Sequence, residues 1–358
     1  MTVVSLFDGI GCGRIALERA GFKINRYYAS EIEPNAMRVA TYNFPDIIEI
    51  GDIRNITYSN GILYTSRGKF DIGSVDLLIG GSPCTNFSSI GYANGMVTGD
   101  VEITSLEQYL ALKTADTTFT GQSYLFWEFV RLLKEISPKY FLLENVVMAK
   151  KWESIITTNM HTFPIKINSS LVSAQNRPRL YWTNIPNVAA PKNKYISLDS
   201  ILSSEADSRD VFYCLTVQRS FPRMLAKYGY IPERFNAYNA TELKNRGCAL
   251  SRGSMITSSC ATLLFVKQRE GMHTVTDGIL DGKYRTKLEN GRYNIRRLSL
   301  LECERLQTLP DNYTAVSGIP AQKRNEMIGN GWTVDVIAHI FSFIKNTEGT
   351  KWNQKFSA

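Results

Sequence analysis

One cysteine, one glutamate and two closely spaced arginines stand where side chains in this chain could do chemistry. Cys84 ends Gly80-Gly81-Ser82-Pro83-Cys84, directly after the apolar run Val75, Leu77, Leu78, Ile79. The run is short, rich in branched residues and stopped by glycines, which predicts a buried parallel strand. A cysteine just past such a strand stands on the carboxyl edge of the sheet, where open α/β folds bind ligands. As a thiolate it is a nucleophile, whereas most cysteines are inert small hydrophobes. Glu144-Asn145-Val146 follows the run Tyr140–Leu143, so Glu144 emerges on the same edge. A strand end can hold a carboxylate dry and rigid, where it can donate or share a proton. Gln175-Asn176-Arg177-Pro178-Arg179 then sets two arginines at period two, facing one way if extended. One can point at a substrate oxygen, although the ordinary use of such a pair is surface charge.

A second group of residues suits a cofactor. The first strand runs into Phe7-Asp8-Gly9-Ile10-Gly11-Cys12-Gly13 and then a helix. Glycines there let backbone N–H groups approach a ligand at the helix N-terminus. Gly11-x-Gly13-x-x-Ala16 also fits a loosened dinucleotide fingerprint, which keeps a nicotinamide or flavin reading open. Glu31 ends the second strand, where it can accept from ribose hydroxyls, and Asp52 ends the third, where it can accept from an adenine amino group. Each acid alone reads as a helix cap. The glycine turn and both acids at successive strand ends point to a nucleoside-bearing cofactor.

The elements that must position these groups alternate. Val3–Phe7, Ile24–Ser30, Ile47–Ile50, Val75–Ile79 and Tyr140–Leu143 read as strands. Ile15–Ala20, Asn35–Tyr42 and Tyr124–Ile136 read as helices. This pattern predicts a doubly wound α/β sheet with helices on both faces. Residues 85–121 are rich in Gly, Ser, Thr and Asn with little periodicity, so a long loop is expected there, able to close as a lid. After Pro191 the pattern becomes irregular, and helical spacing returns at Leu298–Leu306 and Val334–Ile344.

Charge divides the chain further. Residues 191–297 hold 18 Lys+Arg against 10 Asp+Glu, while the rest holds 23 of each, so the whole net charge of +8 lies in one segment. A neutral body with a basic lobe suits docking on a phosphate backbone. The six cysteines form no CxxC pair and the three histidines lie far apart, which argues against a structural zinc site. No export leader precedes Val3 and no apolar run reaches spanning length, so a cytosolic protein with reduced thiols and no membrane partner is expected.

Taken together the residues resemble the C5-cytosine DNA methyltransferase family. Nine pieces match in order: Ser5–Gly13, Ser30-Glu31, Gly51-Asp52-Ile53, Gly80–Cys84, Leu125–Leu133, Glu144–Val146, Gln175–Arg179, Arg297–Asp311 and Ile328–Val334. The flavour is that of the catalytic domain of the animal de novo DNA methyltransferases. The resemblance implies a Rossmann-like S-adenosylmethionine-dependent fold with a smaller target-recognition lobe. It places the catalytic domain at 1–190 and 320–358, the target-recognition region at 191–290 and a connecting segment at 291–319. It also implies S-adenosylmethionine as cofactor, double-stranded DNA with a flipped cytosine as partner, and no metal. A bacterial or phage protein would act in the cytoplasm and a eukaryotic one in the nucleus. By motif position Cys84 is the nucleophile, Glu144 and Arg179 hold the base, and Arg177 supports the site. Phe7, Asp8, Gly9, Ile10, Gly11 and Cys12, with Glu31, Ile32, Asp52, Ile53, Arg54, Asn330, Gly331 and Trp332, would hold the cofactor. A tRNA cytosine methyltransferase shares this chemistry and stays the nearest alternative. A dinucleotide oxidoreductase is more remote, since it leaves Cys84, Glu144 and Arg179 idle.

Overall fold

The computed structural model describes residues 1–83, 96–98, 101–203, 215–250 and 262–348. The chain forms two compact units. Unit 1 comprises Met1–Asn168, Pro178–Pro191 and the C-terminal stretch from Val334, and unit 2 comprises Ser169–Arg177 and Lys192–Thr333.

Unit 1 is built on seven strands: β1 (Thr2–Leu6), β2 (Arg26–Ser30), β3 (Ile47–Glu49), β4 (Leu77–Gly81), β5 (Tyr140–Val146), β6 (Ile165–Asn168) and β7 (Pro178–Thr183). Their order is β6-β7-β5-β4-β1-β2-β3. Neighbours from β5 to β3 run parallel, and β7 is antiparallel to both β5 and β6. Parallel strands need crossovers, supplied here by α1 (Cys12–Arg19), α2 (Pro34–Asn43), α3 (Leu106–Thr114), α4 (Leu125–Ile136) and α5 (Lys150–Met160). Helix α4 is strongly amphipathic and buries Phe126, Trp127, Phe129, Val130 and Leu132 against Leu6, Leu78 and Leu143. The final helix, α9 (Val334–Glu348), returns to α1, where Asp335 pairs with Arg19 at 2.7 Å. The stretch Ala321–Ile344 has the length and hydropathy of a membrane span, but Gly331 is extended and divides it into two helices. Met327, Ile328, Val336, Ile337, Ile340 and Phe341 are buried within the fold.

Two expectations are corrected. Residues 85–121 are not one long loop. Ser105 accepts from the Gln108 N–H and caps α3, while Met96, Ile103, Leu106 and Tyr109 join the core of unit 1. Burial of these residues removes the second half of the segment from a mobile lid, and residues 84–95 lie outside the described ones. The stretch after Pro191 is also regular. Helix α6 (Leu215–Tyr228) is followed by β8 (Arg234–Asn236), β9 (Thr241–Glu242), β10 (Leu263–Lys267), β11 (His273–Thr276), β12 (Ile279–Leu280), β13 (Tyr284–Arg285) and β14 (Gly291–Arg297). These form an antiparallel sheet in the order β9-β8-β10-β14-β11-β12-β13. Phe221, Phe235, Phe265 and Tyr293 fill its core, so these aromatics are packing residues. Helices α7 (Leu300–Leu306) and α8 (Ala321–Asn330) complete unit 2.

Gly80 sits where three elements meet. A Cβ there would lie 2.9 Å from the Leu6 carbonyl oxygen and 3.0 Å from the Phe129 ring. Neither a backbone oxygen nor a core phenyl can retreat cheaply. Gly80→Ala is therefore expected to cost about 1–3 kcal/mol, the usual penalty of overpacking, read as a lower urea midpoint at unchanged slope. An unchanged midpoint would show that β4 has room to move.

Candidate functional site

The strand order reverses between β1 and β4, the switch point at whose carboxyl side open α/β sheets usually bind ligands. Pairing sets Leu6 beside Gly80 and Glu144 beside Gly81. Gly81 closes β4, Ser82 and Pro83 follow, and Cys84 lies outside the described residues. Asn145 Nδ2 donates to Ser82 Oγ at 3.0 Å and to its carbonyl at 3.3 Å. The strand end two residues before Cys84 is thus tied to β5. Glu144 is 8% exposed, and Arg179 Nε on β7 lies 3.0 Å from its Oε1. Arg179 Nη1 also donates to the Pro178 carbonyl at 2.9 Å. Glu144 and Arg179 together offer a carboxylate acceptor and N–H donors side by side, the complement of a ring bearing both N–H and C=O groups.

Arg177 has different company. It belongs to unit 2, is 4% exposed, and donates Nη1 to the Leu250 carbonyl at 2.6 Å. Its Nη2 donates to the carbonyls of Gly331 at 3.0 Å and Gly329 at 3.3 Å. Gln307 Nε2 reaches the same turn, donating to the carbonyls of Ile328 at 2.9 Å and Gly331 at 3.1 Å. The turn after α8, with exposed Asn330 and half-buried Trp332, is held by these two side chains. Gln307 was not singled out from sequence, although it lies within the matched piece Arg297–Asp311. In that piece Cys303 is buried and its thiol is pushed up to about 12 by burial and then by Glu302 and Glu304, which makes it inert.

The cofactor candidates of unit 1 gather at the ends of β1, β2 and β3. Asp8 is buried, and its Oδ1 accepts from Ser5 Oγ at 2.5 Å and Tyr27 Oη at 2.6 Å. Its Oδ2 is buried without a hydrogen-bond partner. Burial pushes the Asp8 carboxyl up to about 6 against those two hydrogen bonds. Glu31 Oε2 accepts from the Gly9 N–H at 2.8 Å, and Oε1 from the N–H groups of Ile32 at 2.7 Å and Glu33 at 2.9 Å. The first glycine turn is therefore fastened to the end of β2. A Cβ on Gly9 would meet nothing within 4 Å, so space lies open over the turn. Ile32, next to Glu31 in sequence, is an apolar side chain 61% exposed. Ile10 and Cys12 point instead into the core.

Asp52 makes a fork-like pair with Arg54, at 2.5–3.0 Å across four contacts, one of them to the Arg54 backbone N–H. Burial works to raise the Asp52 carboxyl, but the Arg54 hydrogen bonds and charge leave it below its ordinary value. The turn beneath is pinned from α4, whose Arg131 Nη2 donates to the carbonyls of Ile56 at 2.7 Å and Ile53 at 3.3 Å. Sequence reasoning missed Glu49, three residues before Asp52 at the end of β3. Both its carboxylate oxygens are buried without a hydrogen-bond partner. Burial, then the charges of Asp8 and Glu31, push it up to about 7, with Arg67 opposing. The signal available was the same as for Glu31, an acid closing a strand.

Two outcomes follow. Asp8 holds its proton more tightly in the fold, at about 6, than at the ordinary value of 3.8. Its contribution to stability is complete below about pH 4 and is lost as pH rises through 6. Asp8→Asn should therefore remove roughly 1–2 kcal/mol of the wild-type stability loss between pH 5 and 7.5, measured by thermal melts in matched buffers. A variant that loses as much as the wild type would contradict this. Arg177→Met removes the donor to the Leu250 and Gly329 carbonyls, while that of Gly331 keeps Gln307, at about 1–3 kcal/mol for each buried group left unpaired, so the urea midpoint should fall. Arg177→Lys should recover part of the loss.

The family model for C-5 cytosine-specific DNA methylase matches residues 1–106 and 113–346. The Orphan methyltransferase M.Rho11sI of Bacillus phage rho11s is 32% identical over 148 residues, and the match spans 41% of this chain but only 23% of that relative. The Type II methyltransferase M.Bsp6I of Bacillus sp. (strain RFL6) is 24% identical over 362 residues, covering 95% of this chain and 97% of the relative. Among solved structures, the Entamoeba histolytica methyltransferase EhMeth matches with a TM-score of 0.61 at 14% identity, covering 97% of this chain and 98% of that one, which shows a shared fold. With the family model covering nearly the whole chain, the protein belongs to the C-5 cytosine-specific DNA methylase family.

Proposed function

We propose that the protein is a DNA (cytosine-5)-methyltransferase that acts on a flipped cytosine through a covalent adduct with Cys84. The observation that carries the reading is the Glu144–Arg179 pair on the strand edge beside Gly81, with Asn145 fastening the Ser82 end that leads to Cys84. A cytosine within a duplex is stacked and must be extruded before C5 and C6 are reachable. Glu144 is suited to hydrogen-bond N3 and the exocyclic amine of such a base, and Arg179 to bind O2. Cys84 as thiolate adds to C6, and the displaced electron pair makes C5 a nucleophile. Once C5 has been alkylated, a base removes its proton and the C6–S bond breaks to restore the thiolate.

C5 methyltransferases of this family use S-adenosylmethionine. When bound it supplies a methyl group on a cationic sulfur. The unpartnered Asp8 oxygen, Glu31, Glu49 and the open space over Gly9 suit a cationic nucleoside, and exposed Ile32 suits the face of its base. A dinucleotide pyrophosphate would meet these acids as like charges, which disfavours the oxidoreductase reading. We assign target recognition to residues 191–290, within the segment that carries the net charge.

Trapping tests the mechanism directly. Duplex DNA carrying 5-fluorocytosine should form a covalent adduct with the wild-type chain and S-adenosylmethionine, because fluorine does not leave as a proton does. Cys84→Ser should form none, and Glu144→Gln should slow turnover by about 10²–10⁴-fold, as for a positioned proton donor. Methylation of tRNA with none of duplex DNA would replace the DNA reading with its nearest alternative. An active enzyme that leaves no adduct would remove Cys84 from the reaction.

A further inference from the structure

The segment Lys283-Tyr284-Arg285-Thr286-Lys287-Leu288 alternates cations with larger or buried side chains. It contains β13, the outermost strand of the unit 2 sheet. Lys283, Arg285 and Lys287 are exposed, whereas Thr286 is buried and Tyr284 and Leu288 pack on the unit 2 core. Lys283 closes the turn that leads into β13, and Arg285 and Lys287 follow at a two-residue spacing, about 6.6 Å in extended chain.

Three observations set this row apart from ordinary surface charge. Among the described residues none of the three has a carboxylate partner, because nearby Glu289 pairs with Lys267 at 3.1 Å and Asp281 with His273 at 2.8 Å. Both lysines lie over aromatic rings, Lys287 at closer range than the 5.0–5.4 Å of Lys69, Lys139, Lys151 and Lys227. The Lys287 ammonium lies 3.9 Å from the centre of the Tyr230 ring, whose hydroxyl donates to Glu242 at 3.0 Å. Lys283 lies 5.3 Å from the Tyr284 ring, itself set edge-on to Phe221. The backbone beneath is also fixed, since the Ile231 N–H donates to the Arg285 carbonyl at 2.6 Å and Thr286 Oγ1 to the Ile231 carbonyl at 2.9 Å. Charged residues commonly blunt exposed sheet edges, but either sign serves that purpose and it needs no support for the charged ends. A single-sign row, held on rings within the segment that carries the net charge, fits a polyanion with regularly spaced charges.

We propose that this edge is a phosphate rail for duplex DNA, with Lys283, Arg285 and Lys287 touching successive phosphates of one strand. Such contacts add affinity and fix register without reading sequence. The inference rests on DNA as the substrate, and the experiment separates the two. Duplex binding is titrated from 50 to 200 mM salt for the wild type, for the triple variant Lys283→Gln, Arg285→Gln, Lys287→Gln, and for each single variant. A control triple variant, Lys23→Gln, Lys69→Gln, Lys166→Gln, removes the same charge from exposed sites of unit 1. The rail predicts a slope of log affinity against log salt shallower by about 2.7 in the triple variant and by about 0.9 in each single one, with little change in the control. The methylated target sequence should stay the same. An unchanged slope in a variant whose wild type binds and methylates duplex DNA would overturn the rail and leave the enzyme reading intact. An equal loss in the control would also overturn it, as would a slope change seen with tRNA alone. A wild type that does not bind duplex DNA would remove both readings.

Discussion

The approach of β1, β4 and α4 at Gly80 sets the geometry on which the carboxyl edge of the sheet depends. With the Leu6 carbonyl and the Phe129 ring within 3.0 Å of where a Cβ would stand, β4 lies tight against its neighbour and under the helix. That closeness fixes where Gly81 ends the strand and hence the register that brings Glu144 beside it. From there polar contacts take over. Asn145 fastens Ser82 and Arg179 pairs with Glu144, so hydrophobic packing places the strands and a few hydrogen bonds orient what emerges from them. A buried carboxylate is tolerated there because a guanidinium stands 3.0 Å away and offsets part of the cost of removing its charge from water.

The two units carry opposite electrostatic characters. Unit 1 gathers Asp8, Glu31 and Glu49 at the ends of three neighbouring strands, with two of them pushed up to about 6 and about 7. Burial dominates both shifts, so the fold holds these two acids more readily protonated than exposed carboxylates. Unit 2 holds the basic excess on an antiparallel sheet whose edge is cationic. Acids gathered at strand ends and a cationic sheet edge thus lie on different scaffolds of one chain.

Much of unit 1 was legible because its apolar runs are strong and its turns carry chemistry. The positions of Asp8, Glu31 and Asp52 past strand ends follow from where those runs stop, whereas β5 runs on through Glu144 to Val146. Several features were hidden because local signals were short. Asn60-Gly61 joins Thr57–Ser59 to Ile62–Thr65, with φ of 50° and 83° at the two turn residues, which is the left-handed pair that a tight hairpin requires. Asp277-Gly278, with φ of 52° and 74°, does the same between β11 and β12. Such two-residue signals are readable, but the strands of two to four residues beside them carry too little periodicity to stand out. The capped start of α3 at Ser105 and Gln108 lay in a polar stretch for the same reason. The partners of Arg177 and Arg179 were beyond reach, because contacts between residues far apart in sequence leave no local mark.

The nine residues Ser169–Arg177 have a consequence for how such a chain can diversify. They leave the first sheet, join unit 2, and hold it largely through main-chain atoms. Gln175 Oε1 accepts from the Leu250 N–H, Arg177 donates to the Leu250 carbonyl, and the Gly247 N–H donates to the Ala174 carbonyl. Main-chain atoms are the same whatever side chains surround them. Residues on the far side of these contacts can therefore be exchanged by recombination or drift, provided the path of the backbone past Gly247 and Leu250 is kept. The path of the backbone that joins the two is thereby uncoupled from the side chains carried beyond it.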